Sequence, residues 1–343
     1  MAFSELPPLV LTMGEPAGVG PELALKAWCA RQHEAVPPFV YVGDATQLRA
    51  TASQVNIDAA IHVVTEFSAV SEIFGKAMPV FQCALPKPVR PGVPDMDNSA
   101  RVVEAIAQAL RLIREDKASG LVTNPIHKKS MWQVGFSFPG HTEYLAAAAQ
   151  RIWGRPAKVA MMLVVPGLRV VPVTRHIPLK DVPRLLDTET IVATGLIVAR
   201  GLAKDFAIDN PRLAIAALNP HGGEDGELGD EESRVIKPAV DALRAEGILV
   251  TGPTAADTLF HEDSRQNVDA ILCMYHDQAL IPLKTLNFYE GVNVTLGLPF
   301  VRTSPDHGTA FDIAGQGTVK SGSLISALKM AATIAQERAK SGP

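Results

Sequence analysis

The chain has 343 residues, more than one core usually holds, so two domains are expected. Hydrophobic residues make up 47% and charged residues 20%, an ordinary globular balance, and the formal charge of −4 argues against nucleic acid or an anionic membrane surface as the main partner. Cys29, Cys83 and Cys273 are isolated, without CxxC spacing, which fits a reducing cytoplasm and excludes a disulfide or thiolate-zinc framework. "MAFSELPPLV" lacks a basic region followed by an apolar segment, so no signal peptide is expected, and no apolar run of about 20 residues suggests a membrane span.

In chain order, short apolar runs predict strands at 9–13, 39–42, 61–64, 121–123, 158–165, 169–173, 213–218, 248–250 and 270–274. Several lack alternation, as strands covered on both faces do. Amphipathic stretches predict helices at 99–116, 142–153, 187–204, 232–246 and 322–338. In the first, Val102, Ile106, Leu110 and Ile113 form one apolar face. The alternation implies an α/β fold with a mainly parallel sheet, into which 158–173 inserts an antiparallel hairpin. "LPKPVRPGVPDMD", residues 85–97, carries four prolines and reads as an extended surface connection. Periodicity is lost near 125–140. The expected domains are therefore 1–130 with 300–343, and 131–299, the last helix being too isolated to stand alone.

The first strand opens into "TMGEPAGVGPEL", a glycine-rich strand-to-helix turn. Gly18-Val19-Gly20 is followed three residues later by Leu23, so the Gly-x-Gly-x-x-Gly dinucleotide fingerprint fails, although Asp44 stands near where a ribose-binding carboxylate belongs. No Gly-Lys-Ser/Thr follows, which excludes a Walker loop. The turn either shapes the start of a helix, with Pro21 at its first position and Glu22 near its positive end, or lines an anion site with its exposed amides.

Three of the nine histidines follow apolar strands: His176 in "VVPVTRH", His221 in "IAALNPH" and His276 in "ILCMYHD". In an open parallel sheet ligands bind beyond the carboxyl ends of strands. Three imidazoles converging there form a catalytic metal site with open positions, suited to zinc or another divalent ion. Otherwise each caps its strand end. Asp277 and Glu224 are candidates to orient these imidazoles from behind.

"FPGHTEYL" places Gly140, His141 and Thr142 before a helix; Thr142 reads as the N-cap, or as part of a phosphate site with His141 and the helix amides. Lys284, Asn293 and Arg302 lie near apolar runs further on, Arg302 on an expected loop; together they suit a substrate bearing carboxylate or phosphate. "GEDGELGDEES" does not match a calcium loop and reads as a surface loop. On residues alone, a metal-dependent dehydrogenase, a zinc hydrolase and a non-catalytic two-domain binding protein remain open.

"GEPAGVGPE", "GHTE", "TRH", "LNPH", "GPTAADTLF", "MYHDQ", "GVNVTLGLPFVRTSPDHGTA" and "ISALKMA" resemble, in order and context, the 4-hydroxythreonine-4-phosphate dehydrogenase family of pyridoxal phosphate biosynthesis. The resemblance runs from about residue 9 to 335. It implies two α/β/α domains with a cleft between them, similar to isocitrate and isopropylmalate dehydrogenases, and a cytoplasmic homodimer with active sites at the interface. It further implies a divalent metal (zinc, magnesium or cobalt) on His176, His221 and His276, which dimer partners share. His141, Thr142, Lys284, Asn293 and Arg302 match substrate-binding positions, and Asp257 stands near the site. Cofactor-binding residues are not identified. NAD or NADP takes the hydride, and Lys128 and Asp277 are the candidates for proton acceptor. Asn124 and Ala279 stand where many members have smaller residues. Relatives in this family act on 4-phosphoerythronate or a dihydrodiol dicarboxylate, so the resemblance implies the mechanism more narrowly than the substrate.

Overall fold

In the computed structural model of the chain, residues 6–340 are described. The expectation of no leader peptide rests partly on residues 1–5, which lie outside the described residues, as do 341–343. The chain divides into two compact units, Met1–Pro156 with Leu298–Gln336, and Ala157–Gly297 with Glu337–Pro343.

In chain order the strands are β1 Leu9–Thr12, β2 Phe39–Gly43, β3 Ile61–Val63, β4 Met78–Gln82, β5 Leu121–Thr123 and β6 Ala160–Val165. They continue with β7 Leu168–Pro172, β8 Arg212–Ala216, β9 Leu249–Thr254, β10 Ala270–Cys273, β11 Val292–Leu296 and β12 Arg302–Pro305. The first unit orders its strands β3-β4-β2-β1-β5-β12, all parallel. Its central strands β1, β2 and β5 are buried at every position, which explains their unbroken apolar sequences. The Met96–Arg114 helix packs Val102, Ile106 and Leu110 inward, each contributing about 1.5–3 kcal/mol.

The second unit orders its strands β11-β6-β7-β10-β8-β9. β6 runs antiparallel to β7 and to β11, so the hairpin expected at 158–173 is present. β7, β10, β8 and β9 are mutually parallel. Met161, Leu163, Val170, Ala214, Ile271 and Ala279 belong to one apolar core in this unit. Among the described residues no helix is long and apolar enough to cross a membrane.

Three differences from the sequence reading bear on the site. Residues 131–156, expected in the second domain, pack with the first unit. Phe136, Phe138 and Tyr144 interlock as edge and tilted ring pairs, and Trp153 stacks on Phe300, contacts that periodicity does not reveal. Arg302 is not on a loop; it opens β12, whose residues "RTSP" are all buried. A strand that polar gives no hydropathy signal, and it is stable because its groups are paired: Thr303 Oγ1 donates to the Ala327 carbonyl at 2.8 Å. The His276–Leu286 helix also went unread, since Pro282 lies inside it.

The glycine-rich turn joins β1 to the Gly20–Cys29 helix. Gly14 has φ +67°, and a Cβ there would stand 2.5 Å from the Pro125 carbonyl oxygen and 2.8 Å from Asn124 Cβ. Asn124, wholly buried, sits beneath the turn and donates from Nδ2 to the Gly20 carbonyl at 3.4 Å. Gly14→Ala therefore combines left-handed strain with a backbone collision. It is expected to cost at least about 2 kcal/mol, read as a lowered denaturant midpoint.

Candidate active site

The first unit gathers Arg302, His141, Thr142 and Lys128. Arg302 is 4% exposed and donates from Nη2 to Thr123 Oγ1 at 2.8 Å, across the β5–β12 pair. Burial lowers its guanidinium to about 10, with Glu143 acting in the opposite sense. It remains a cation at neutral pH, and a buried cation requires anionic company.

The N-cap of the His141–Trp153 helix is Gly140, with no side-chain cap bond, so Thr142 is not the cap but a buried residue of the first turn. The first amides of that helix are thus left without a side-chain acceptor from the cap position, where a bound anion is favoured. His141 Nε2 is buried without a hydrogen-bond partner. Burial, then the charges of Arg302 and Lys128, hold its imidazole well below the usual histidine range. Lys128 itself is exposed and opens the short Lys128–Gln133 helix. Sequence reasoning missed Thr123 and Glu143. Thr123 ends an apolar strand, and only the β12 register shows what it faces.

In the second unit the three histidines do follow β7, β8 and β10. His176 and His276 stand side by side, ring centroids 5.8 Å apart. Both line a cavity of about 310 Å³ with Thr174, Val182, Tyr275 and Asp277. His276 Nδ1 lies 2.6 Å from Asp277 Oδ1, so the carboxylate orients the ring with Nε2 as the available ligand atom. His221 is exposed on the loop after β8 and is not among the residues lining that cavity. Among the described residues no three of His, Cys, Asp or Glu are arranged to hold a metal ion. Two adjacent imidazoles, one oriented by a carboxylate, have the donor chemistry of a divalent-ion site, but within this one chain the third imidazole is not in place.

Lys284 lies half-buried in the His276–Leu286 helix, its Nζ 5.3 Å from the Phe288 ring centre. Asn293 is on β11, with Oδ1 buried and without a hydrogen-bond partner. Asp257 is exposed on the Ala256–Leu259 turn of helix after β9. Glu224 is exposed; the carboxylate that holds the His221 loop is instead Glu232, 7% exposed, which accepts from the Leu218 and Asn219 amides, each at 2.8 Å. Asp44 is the N-cap of the Ala45–Gln54 helix: Oδ1 accepts from Thr46 and Gln47, and Oδ2 from Leu85. With its acceptors so occupied and the glycine turn packed on protein, the fingerprint that fails in sequence also lacks its structural counterpart.

Comparison with known proteins extends the motif resemblance over nearly the whole chain. A family model described as pyridoxal phosphate biosynthetic protein PdxA matches residues 34–331. A 4-hydroxythreonine-4-phosphate dehydrogenase of Methylorubrum populi is 51% identical over 338 residues, covering 97% of this chain and 95% of that one. The crystal structure of 4-hydroxythreonine-4-phosphate dehydrogenase from Klebsiella pneumoniae is similar with a TM-score of 0.84 at 36% identity, covering 97% of this chain and 99% of that one. A terephthalate 1,2-cis-dihydrodiol dehydrogenase from Burkholderia xenovorans is more distant, with a TM-score of 0.61 at 25% identity over 96% and 98% of the two chains.

The lowered His141 proton affinity has a stability consequence. Below the ordinary value of 6.5 the unfolded chain takes up a proton that the folded chain refuses. Stability therefore falls as pH drops from about 6.5 toward the lowered folded value. Urea midpoints measured between pH 7 and 5 are expected to fall less steeply in His141→Gln than in the wild type.

Proposed function

The chain belongs to the family described as pyridoxal phosphate biosynthetic protein PdxA, and on that premise we propose that it is a metal-dependent, NAD(P)-linked dehydrogenase oxidising the C3 hydroxyl of 4-phosphooxy-L-threonine. The hydroxyl proton leaves to a base, and the C3 hydride passes to the nicotinamide. The product, 2-amino-3-oxo-4-phosphooxybutanoate, is a β-keto acid and loses carbon dioxide to give 3-amino-2-oxopropyl phosphate. The observation that carries this reading is the buried Arg302 guanidinium beside an uncapped helix start, in a chain alike over nearly its whole length to proteins of that activity.

Arg302 and the first amides of the His141–Trp153 helix would take the phosphate, as bidentate and dipole-assisted donors. Thr142 adds a hydroxyl. His141, kept neutral by its surroundings, has an unsatisfied Nε2 with which to meet a substrate polar group. Lys284 and Asn293 would meet the carboxylate end, each as a donor: Lys284 from Nζ and Asn293 from its side-chain Nδ2. His176, His221 and His276 would hold the divalent ion (zinc, magnesium or cobalt), which when bound makes the substrate hydroxyl more acidic and stabilises the alkoxide. Asp277 is engaged in orienting His276, so of the two proton-acceptor candidates Lys128 is the one whose head group is not so committed.

We further propose a cytoplasmic homodimer with the active site at the interface. Ile281, Leu286, Phe288 and Tyr289 are 64%, 46%, 65% and 54% exposed on one stretch of the second unit, a cluster that a second copy would cover.

Purified protein is expected to reduce NAD or NADP with 4-phosphooxy-L-threonine in preference to 4-phosphoerythronate or a dihydrodiol dicarboxylate, and to stop with chelator. Turnover without nicotinamide reduction would mark a hydrolase instead, and ligand binding without turnover a binding protein. His221→Ala should lose metal and turnover while keeping its melting temperature; normal metal content in that variant would sink the three-histidine assignment. Arg302→Ala is expected to weaken substrate binding by about 100-fold or more, since it removes a charged, buried anchor. In sedimentation, Ile281→Glu with Phe288→Glu should convert dimer to monomer.

A further inference from the structure

The loops that carry the three histidines leave β7, β10 and β8, neighbours in that order. Where the strand ladder ends, buried side chains continue it. Thr174 donates to the Met274 carbonyl from its amide at 3.2 Å and from Oγ1 at 2.6 Å. The Met274 amide donates to Gln278 Oε1 at 2.7 Å. Gln278 Nε2 donates to the Ala217 carbonyl at 2.7 Å. The next two amides, Leu218 and Asn219, both donate to Glu232 Oε1, and Asn219 Nδ2 reaches Glu232 Oε2 at 2.9 Å. Thr174, Gln278 and Glu232 are 8%, 7% and 7% exposed, so these bonds are made out of water, where losing a partner is costly. Thr174, Asn219 and Gln278 each stand two residues from a histidine: His176, His221 and His276.

The backbone at the far end of this path is held in an unusual form. His221, Gly222, Gly223, Glu224 and Asp225 have φ values of +52°, +68°, +83°, +41° and +56°, a left-handed turn. The non-glycine residues in it each cost about 1–2 kcal/mol. Such a run persists only where neighbours over-determine it, and it collects at functional sites. Backbone bonds from Gly222 to the Asn219 carbonyl and from Leu228 to the Gly223 carbonyl close the turn, and Glu232 fixes the residues that lead into it. Glu232 opens a π-helical turn, Glu232–Ile236, and lies so close that a Cβ at Gly223 would come within 2.7 Å of its Oε2. His176 also has positive φ, +50°.

We propose that Gln278 and Glu232 are positioning residues: Gln278 ties the β8 and β10 ends so that the loops of His221 and His276 each keep their place for a metal site that two subunits complete, and Glu232 fixes residues 218–219, which lead into the His221 turn. This rests on the reading of the three histidines as metal ligands. Neither residue touches the metal or the substrate in this role; each acts through the loop it holds.

The test is cobalt(II) titration of the full-length protein, read by affinity and by visible ligand-field absorption, beside thermal melting. Gln278→Met keeps the side chain's length and leaves the Met274 amide and the Ala217 carbonyl without side-chain partners. It is expected to bind cobalt about 10–100-fold more weakly, with an altered spectrum. Glu232→Leu should behave likewise, and Glu232→Gln, which keeps an acceptor for the two amides, should recover much of the loss. Leu283→Ala is the control: it opens a cavity in the same core and lowers the melting temperature, and it should leave cobalt affinity unchanged. Wild-type affinity and spectrum in Gln278→Met overturn the proposal, as does an equal loss in Leu283→Ala. If Gln278→Met does not fold, Glu232→Leu against Glu232→Gln decides by the same criterion. If the wild type takes up no cobalt, the metal reading itself fails, and histidine ring ¹⁵N resonances of the metal-free proteins decide. Displaced His221 and His276 signals with His141 unmoved in Gln278→Met uphold positioning, and unmoved signals overturn it.

Discussion

A parallel β-ladder ends abruptly. Within it every amide and carbonyl has a partner on the next strand; beyond the carboxyl end the same groups must find side chains, other loops or solvent. Each unit of this protein meets that demand with residues at or beside the candidate site. In the first unit the loops after β1, β5 and β12 satisfy one another: the Glu15 amide donates to the Pro125 carbonyl at 2.8 Å and the Val19 amide to the Thr309 carbonyl at 3.0 Å. Gly14 and Asn124 are the small and polar residues that let these backbones approach. In the second unit Thr174, Gln278 and Glu232 do the equivalent work, and they bring order to the loops that carry histidine.

The two strand-end regions differ in electrostatics. In the first unit a guanidinium is buried and held in place by Thr123, with Glu143 close enough to affect its protonation; burial first, and then that positive charge, lower the proton affinity of the neighbouring His141. That combination favours an anion and disfavours a second cation. In the second unit the notable groups are imidazoles, with Asp277 set behind His276 to fix its tautomer. The proposed oxidation of a phosphorylated hydroxy acid would draw on both: fixed positive charge for its anionic ends, and imidazole donors able to ligate a divalent ion.

Much of the fold was legible because its signals are local. Buried parallel strands such as β1 and β5 are unbroken apolar runs, and the Met96–Arg114 helix has a regular apolar face. The placement of His176, His221 and His276 just past strands was legible for the same reason. What escaped was polar and buried. β12 reads as a loop because Arg302, Thr303 and Ser304 carry no hydropathy signal, and Thr142 reads as a cap because its residue type favours one. Segment 131–156 reads as a new domain because aromatic interlocking has no period.

Sequence alone determined the α/β class, the family, and which residue types stand at which strand ends, because these depend on short-range pattern and on long matching motifs. Only the tertiary structure decided which of those residues meet. It set Arg302 beside Thr123 and in reach of His141, paired His176 with His276 while leaving His221 on its own loop, and gave the buried bridging role to Gln278 and Glu232. The physical reason is that a hydrogen bond between residues 61 positions apart, such as Gln278 to Ala217, is fixed by strand order and register. Neither is written in the residues that make the bond.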